Sequence, residues 1–394
     1  MQKTTLWNKD FILISLSSFF IFITFYMLAV TLPSFVLDDL QGSNQQIGLV
    51  TTVFIIAAVI FRPLTGLWFD ELNRKKIIFY SLALFTVCSL LYLTIHSFSM
   101  LLILRIVHGV GFGIAATVTS AIAIEIIPVQ RRGEGIGYFS LFMSLAMVIG
   151  PFLGLTVLSH YHFTALFGAC FVFSLLAFAC SQLTRIPLKL KLQNQPAIVK
   201  SYNWRRFIEP KAIPISLAGS ILAFSYGAIS TFISVYAKFL GMEQMASYFF
   251  MVFAAMILVS RPFTGKLFDR AGEHVLVYPG IALFVIGMLW LSQAHSVAVF
   301  LVAGAIIGLG FGALLPSFQA IAVQVSPSHR RGLAMGTYFM LFDSGYGLGS
   351  YILGMVAAKS GYRTMYLVGS LIVACTAIIY YMLHHRRSKA RLAQ

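Results

Sequence analysis

Charged residues are scarce in this sequence. Only 10% of its 394 residues are Asp, Glu, Lys or Arg, whereas 59% are hydrophobic. A chain of this composition cannot surround a folded core with an ordinary water-facing surface, which excludes the soluble globular classes and places the chain in a bilayer. Acidic residues are the rarest, at 12 against 28 Lys and Arg, so the placement of the net charge of +16 needs an explanation.

Cysteines and catalytic signatures are also few. The four cysteines lie in apolar stretches, at spacings that suit neither metal ligation nor a disulfide framework: Cys88, Cys170, Cys180 and Cys375. The sequence contains no Walker loop, nucleotide fingerprint, metal-ligand pair or catalytic triad. We therefore expect no cofactor, no metal and no enzymatic activity, and we do not expect this chain to be driven by ATP.

What the sequence has instead is a series of long apolar runs. A run of about 20 residues crosses the roughly 30 Å core of a bilayer as one helix. Twelve such spans are predicted at residues 11–33, 45–67, 76–96, 99–126, 134–158, 162–183, 212–237, 245–265, 273–293, 297–323, 332–357 and 363–385. The first run is too long for a cleavable signal peptide and lacks a cleavage site after it, so we expect it to remain in the protein.

The basic residues alternate between the loops. One set of loops, both termini and the polar linker carry most of them, whereas the opposite loops hold only Lys238, Lys359 and Arg363. The positive-inside rule then predicts that both termini and the linker are cytoplasmic, in a multi-pass protein of the cell membrane. Binding of nucleic acid would require a clustered basic face with base-reading residues, so we do not expect it.

The two halves of the chain repeat one another. The string RPLTGLWFD at 62–70 returns as RPFTGKLFD at 261–269, an offset of 199 residues that further matched glycines and arginines share. Repeats with the same inside and outside ends are related by an axis along the membrane normal. The predicted organisation is an amino-terminal six-helix bundle at 1–183, a cytoplasmic linker at 184–211, and a carboxy-terminal six-helix bundle with a basic tail at 212–394.

The loops that follow the repeated strings resemble the loop signature of the major facilitator superfamily. GLWFDELNRKK at 66–76 and GKLFDRAG at 265–272 keep its glycine and aspartate, although Glu71 and Asn73 depart from it. The resemblance implies an all-α fold of 12 transmembrane helices in two pseudo-symmetric bundles, and a cytoplasmic latch in the outward-open state. The implied latch residues are Gly66, Asp70, Arg74, Glu125, Gly265, Asp269 and Arg270. Arg62 and Arg261 either snorkel to the interface or join this latch.

A basic residue lies well inside helix 4. Arg105 has no basic counterpart in the second half, and a guanidinium at this depth should face a watery cavity or a carboxylate. The string LLILRIVHGVGFG at 101–113 resembles the helix-4 motif of proton-coupled exporters, with His108 on the same helix face as Arg105. This implies a coupling or substrate role for both residues. The alternatives are a structural arginine and a packing histidine.

Helix 5 resembles the antiporter motif of the 12-helix drug:proton antiporters of the same superfamily. Gly137, Gly150, Pro151 and Gly154 match that motif, and Ala146 replaces its second glycine. Small residues at these spacings allow a close helix contact and the proline bends the span, so the segment is predicted to form a tight, kinked seam that hinders leakage.

Asp343 is the acidic residue that lies near the middle of a span. An intramembrane carboxylate indicates a functional site, here proton coupling together with Arg105 and His108. The alternative is a carboxyl group satisfied by Ser344 or by a neighbouring backbone. Aromatic residues are abundant, and the resembled fold lines its cavity with helices 1, 4, 7 and 10. The cavity residues implied are Tyr26, Arg105, Tyr226 and Gln319.

These observations predict a secondary active transporter that exports small, partly hydrophobic compounds in exchange for protons by alternating access. We expect the partners to be the substrate, protons and lipid, and the protein to be a monomer. Two alternatives stay open. One is a proton symporter or facilitator that takes up a sugar or an organic anion. The other is a membrane sensor or channel that transports nothing by alternation.

Overall fold

The computed structural model describes residues 6–128, 131–186, 207–327 and 330–385 of the chain. Within these ranges, the side chains of residues 66–67, 70–71, 132–134, 136–137, 261–263, 265–266, 268–271 and 331–332 lie outside the description. The described part is helical, and no strand occurs in it.

The helices of each half follow one another with short connections, and the longer segment 184–212 joins α6 to α7. The first six are α1 Lys9–Asp38, α2 Asn44–Glu71, α3 Arg74–Leu91, α4 Phe98–Ile126, α5 Arg132–His160 and α6 Phe163–Leu183. The second half has α7 Ile213–Phe239, α8 Met245–Ala271, α9 His274–Ser292 and α10 Val297–Gln324, followed by a helical segment Arg331–Tyr380. Inside that segment Gly361 has φ 82° and ψ 166°, a backbone conformation that glycine adopts readily and other residues rarely do. Gly361 therefore separates α11 (331–360) from α12 (362–380). One π-helical turn, Tyr381–His385, ends the described chain.

The ends of the helices depend on capping hydrogen bonds and on local packing more than on where the apolar run stops. Ser43 begins α2 with a capping box, in which its hydroxyl accepts from the Gln46 N–H and the Gln46 side chain accepts from the Ser43 N–H. The span predicted to end at residue 33 continues to Asp38, because Pro33 is accommodated inside α1. Ten of the helical segments are long and apolar enough to cross a bilayer, with a shorter one at Met245–Ser260, and the longest of the ten holds both α11 and α12.

The repeat seen in the sequence is also a repeat of contacts. A Cβ atom on Gly109 of α4 would lie 2.4 Å from the Phe54 carbonyl oxygen of α2, and one on Gly308 of α10 would lie 2.4 Å from the Phe253 carbonyl oxygen of α8. Both pairs of positions differ by the sequence offset of 199. The two bundles therefore pack their second and fourth helices by the same close backbone approach.

The bundle has two ends, which we name by the chain termini. The terminal side holds the start of α1 and the end of α6, joined by the Arg185 N–H, which donates to Asp10 at 2.8 Å. It also holds the start of α7, where the Glu209 N–H donates to Thr337 of α11 at 2.9 Å. The far side is the opposite end, where α1 ends and α2 begins. The halves contact each other through α1 with α7, α2 with α11, and α5 with α8.

Candidate functional site

The two halves meet inside the membrane-spanning region at an ion pair. Arg62 of α2 and Asp343 of α11 approach to 2.5 Å between Nη2 and Oδ2, with side chains that are 16% and 18% exposed. The buried Nε of Arg62 has no hydrogen-bond partner. Asp343 is therefore held by a guanidinium of the other half. Ser344 is not its partner, because the Ser344 hydroxyl donates to the Met340 carbonyl of its own helix at 2.7 Å.

Aromatic side chains surround the Arg62–Asp343 pair. The Cζ of Arg62 lies 6.0 Å from the centroid of the Phe112 ring. Tyr26 of α1 and Tyr346 of α11 lie within electrostatic range of Asp343. Tyr26 is half-buried, so solvent can reach part of the region around the pair. The pair is thus a polar centre in a mostly aromatic wall built by both halves.

Arg105 and His108 belong to a separate network inside the amino-terminal half. The Arg105 side chain is fully buried; its Nε donates to the Val50 carbonyl at 3.2 Å and its Nη1 to the Tyr92 hydroxyl at 3.3 Å. The same Tyr92 hydroxyl hydrogen bonds with Nδ1 of His108 at 3.1 Å. The Cζ of Arg105 lies 3.9 Å from the Phe54 ring centroid.

The structure therefore brings Arg105 and His108 together but keeps them apart from the Arg62–Asp343 pair. Arg105 was expected to face water or a carboxylate, and in the structure it faces neither. The Phe54 ring, the Val50 carbonyl and the Tyr92 hydroxyl take their place. The carbonyl and the hydroxyl accept hydrogen bonds, and the negative face of the ring stabilises the cation. Its Nη2 remains buried without a hydrogen-bond partner.

The residues predicted to line a substrate cavity divide into two groups. Tyr26 and Gln319 are half-buried and can contact a ligand. Arg105 and Tyr226 have no more than 1% exposed surface in this conformation. Tyr226 stacks on Phe311 with ring centroids 4.5 Å apart, which is a packing arrangement.

One predicted latch contact is formed at the terminal side. Arg74, the first residue of α3, makes an ion pair with Glu125 near the end of α4. The Cζ of Arg74 also lies 4.3 Å from the Phe69 ring centroid. The other predicted latch side chains lie outside the described residues: Gly66, Asp70, Gly265, Asp269 and Arg270.

The motif of α5 forms a seam against α1. A Cβ atom on Gly150 would lie 2.8 Å from Cβ of Tyr26, and one on Gly154 would lie 3.1 Å from Cα of Met27. Ala146 is fully buried and Pro151 lies within the helix, whereas the side-chain position of Gly137 lies outside the described residues. Gly150 therefore lets α1 place Tyr26 beside the Arg62–Asp343 pair.

A second copy of this seam occurs in the other half, which the sequence analysis missed. Gly345 and Gly349 of α11 stand 199 residues after Ala146 and Gly150. A Cβ atom on Gly345 would lie 2.1 Å from the Ser220 carbonyl oxygen, and one on Gly349 would lie 2.0 Å from that of Phe224. The signal was present in the sequence, since the repeat offset carries the α5 motif onto α11.

Contacts across the two halves close the far side. Lys238 of α7 pairs with Asp38 of α1 at 2.6 Å. Tyr362 donates to Asn44 of α2 at 2.6 Å. All residues at 27–36 of α1 and 225–237 of α7 are buried, whereas the terminal-side parts of both helices have partly exposed faces. The halves are thus joined at the far side and packed less closely at the terminal side.

Comparisons with known proteins agree with this architecture. The family model described as Major Facilitator Superfamily matches residues 14–349 and 275–394. The chain belongs to the major facilitator superfamily. Its members are transporters and not enzymes, so this protein is a multi-pass membrane transporter, and the alternative of a non-transporting sensor or channel is set aside.

Relatives and solved structures give further context. The chain is 24% identical over 351 residues to an uncharacterized MFS-type transporter of Methanocaldococcus jannaschii, covering 88% of this chain and 90% of that one. It is 26% identical over 242 residues to the quinolone resistance protein NorA of Staphylococcus aureus, a match that spans 59% of either chain.

Among solved structures, a bacterial homolog of the human lysosomal transporter Spinster, inward-facing and occupied, matches with a TM-score of 0.78 and 14% identity, over 95% of this chain and 96% of that one. The nucleoside transporter NupG matches with a TM-score of 0.73 and 15% identity, over 95% and 99%. At such identities the likeness establishes the fold alone.

Proposed function

We propose that this protein is a proton-coupled secondary transporter that exports small, partly hydrophobic compounds by alternating access. The observation that carries the proposal is the Arg62–Asp343 ion pair between the two halves. A carboxylate there attracts Arg62 across the α2–α11 contact, whereas a protonated carboxyl group does not. Binding of a proton to Asp343 therefore weakens a contact that holds the halves in one arrangement.

The size of this effect is suited to coupling. Removing one charge of a buried pair costs about 3–5 kcal/mol, and a shift of a two-state equilibrium from 1:99 to 99:1 requires about 5.5 kcal/mol. Protonation of Asp343 alone would thus supply a large part of the switch, and the bound compound would supply the remainder. Coupled exchange requires this, because neither the proton nor the compound alone should be able to complete the switch.

We also propose that the terminal side is cytoplasmic. The described ends of the chain, at Leu6 and His385, and the basic start of α3 lie on this side, as the positive-inside rule requires. The conformation with a closed far side is then the inward-facing one. The Arg74–Glu125 pair lies within the amino-terminal half and is already formed in this conformation. It would supply one side of the cytoplasmic latch of the outward-open state, together with Gly66, Asp70, Gly265, Asp269 and Arg270.

Export is supported by two observations. The α5 motif forms a tight seam on α1 around Gly150 and Gly154, the geometry expected of a segment that hinders leakage. The relative NorA is named a quinolone resistance protein. Tyr26 and the rings around Arg62 would accept compounds with an apolar or aromatic part. Arg105 and His108 would stabilise the amino-terminal half and influence Asp343 at long range.

Arg62 itself favours a second candidate, the symport of protons with an organic anion. Protonation of Asp343 frees the guanidinium, which could then bind a substrate carboxylate bidentately. In that case proton and substrate bind together, whereas in exchange they compete. The two candidates therefore predict proton movements of opposite sign when substrate is added.

The test is proton movement in proteoliposomes that contain a pH-sensitive dye. Candidate compounds, beginning with a quinolone and ethidium, are loaded inside vesicles that contain wild type, Asp343→Asn or the neighbouring control Ser344→Ala, and an inward proton gradient is then imposed. We expect substrate-dependent entry of protons in wild type and in Ser344→Ala, and none in Asp343→Asn. Equal proton movement in Asp343→Asn and wild type would disprove the assignment.

A further inference from the structure

The far half of the contact between α1 and α7 contains more polar groups than packing requires. Ser230, Ser234 and Lys238 stand at i, i+4 and i+8 on α7, so they share one helix face. The Ser234 hydroxyl donates to the Val30 carbonyl of α1 at 2.9 Å, and Lys238 pairs with Asp38 of α1. The outer part of this face, Ser234 and Lys238, therefore contacts the other half over a length of about 6 Å, and Ser230 lies one turn further in.

At its inner end this polar face reaches the ion-pair region through a tyrosine. The Tyr346 hydroxyl donates to the Ser230 hydroxyl at 2.9 Å. Tyr346 follows Asp343 by three positions on α11, so the two side chains share a helix face with Cβ atoms about 5–6 Å apart. Both Ser230 and Tyr346 are buried, at 0% and 3% exposure. A second hydroxyl pair, Thr231 with Ser350 at 3.0 Å, lies beside this connection.

We propose that Tyr346, Ser230 and Ser234, below the Lys238–Asp38 pair, form the route by which protons from the far side reach Asp343. In the present conformation the hydroxyl groups are satisfied by Tyr346 and by the Val30 carbonyl, so the route is dry. Separation of α1 from α7 at the far side would break the Ser234 and Lys238 contacts and replace them by water. The Lys238–Asp38 pair is then the outer closure of the route.

The chemistry requires only proton transfer between oxygens. In this conformation the Tyr346 hydroxyl donates to Ser230, so it must first rotate toward Asp343 when the far side opens. Water at the open far side then donates a proton to the Ser234 or Ser230 hydroxyl, which passes its own proton to the Tyr346 oxygen. Tyr346 in turn donates its phenolic proton to the Asp343 carboxylate, directly or over one water molecule. Each hydroxyl accepts one proton and donates one, so the route is unchanged except for the charge of Asp343. Arg62 is released at the last step.

This inference rests on the proposed role of Asp343, and its test needs no substrate. The far side of oriented proteoliposomes is acidified rapidly, and protonation of Asp343 is followed by the infrared carbonyl band that Asp343→Asn lacks. The variants are Tyr346→Phe and Ser230→Ala, each of which removes one partner of the same hydrogen bond. The matched control is Ser225→Ala, a buried serine of α7 whose hydroxyl donates to the Gly369 carbonyl at 2.9 Å, away from the α1 contact.

We expect both route variants to slow protonation of Asp343 by about tenfold or more, with the same final band amplitude, and Ser225→Ala to match wild type. Wild-type rates in both Tyr346→Phe and Ser230→Ala would overturn the route. A loss of final amplitude in both variants would also overturn it, because the hydrogen bond would then be structural. If wild type itself shows no band that Asp343→Asn lacks, the role of Asp343 fails instead, which separates the two outcomes.

Accessibility gives a second measurement. Ser230→Cys and Ser234→Cys, in a background with Cys180 and Cys375 replaced by Ser, are treated from the far side with a membrane-impermeant thiol reagent. We expect both to react when the far side is open and Ser225→Cys to remain unreactive. Equal reactivity at all three positions, or none at Ser230→Cys and Ser234→Cys, would contradict a water-accessible route on this face.

Discussion

Breaking the Arg62–Asp343 pair should destabilise the protein in a way that a second substitution relieves. Asp343→Asn leaves Arg62 charged, because a guanidinium cannot be deprotonated in a protein. A lone arginine within a span costs about 2.5–3.5 kcal/mol, and breaking a buried pair costs about 3–5 kcal/mol. Since the two side chains are 16% and 18% exposed, we take the lower end and expect a loss of about 3 kcal/mol.

Substitution of the basic partner, Arg62, should give a loss of stability that depends on pH. Arg62→Met leaves a lone carboxylate, which can take up a proton and so escape the cost of burial as a charge. We expect Arg62→Met to be destabilised by about 3 kcal/mol at neutral pH and progressively less on acidification. Asp343→Asn should not recover, and the double variant Arg62→Met with Asp343→Leu should be more stable than either single variant.

The assay is the free energy of unfolding from reversible denaturation in mixed micelles, at several pH values. Arg74→Met is the matched control, because Arg74 pairs with Glu125 at the terminal edge, where the two side chains are 10% and 34% exposed and the carboxylate left behind can be solvated. Its loss should be about 1 kcal/mol or less. Additive losses in the Arg62 and Asp343 double variant would refute the reasoning, since they would mean that the two charges do not stabilise one another.

Further predictions concern packing, the buried arginine and pH. Gly349→Ala should disrupt folding, because its Cβ would lie 2.0 Å from a carbonyl oxygen of α7, whereas Gly168→Ala, with nothing within 4 Å, should be silent; size-exclusion profiles of the two variants check this. Arg105→Lys should lower the unfolding temperature and transport together, because an ammonium loses the planar fork and the ring stacking, and full transport by this variant would remove any need for the guanidinium. Burial would raise the pKa of Glu273, but the hydrogen bond from His384 and the nearby histidine charges outweigh it and hold that pKa below its ordinary value. The contact between the start of α9 and the π-helical turn Tyr381–His385 should therefore be intact at neutral pH and weaken as the pH falls through this lowered pKa. Hydrogen exchange at the start of α9 should increase on acidification in wild type but not in Glu273→Gln, and the absence of this difference would contradict the prediction.

The spans and the repeat were accessible from the sequence because both are properties of composition and spacing. A run of apolar residues determines where a helix crosses the bilayer, and the offset of 199 determines which helices are equivalent. Helix ends were less accessible. The first span was predicted to end at residue 33, but the helix continues to Asp38 with Pro33 inside it, because neighbouring helices accommodate the proline.

The site was predicted only in part. Asp343 was recognisable, since an acidic residue in the middle of a span needs a reason. Its partner Arg62 was expected either to snorkel to the interface or to join the latch, because nothing in one sequence gives the register between α2 and α11. The balance of charge was the available signal: a carboxylate in one half requires a base, and Arg62 is a basic residue within the apolar run of α2. The environment of Arg105 could not be predicted, because a ring, a carbonyl and a phenol from three segments satisfy it together.

The central claim is that Asp343 binds and releases the transported proton, and proton release on substrate binding tests it most directly. Purified protein is first acidified so that Asp343 carries its proton, and is then mixed, in weakly buffered detergent solution, with a compound that drives proton movement in the proteoliposome screen. The pH change is recorded for wild type and Asp343→Asn. We expect wild type to release about one proton per bound compound and Asp343→Asn to release none. Equal release by the two proteins would contradict it.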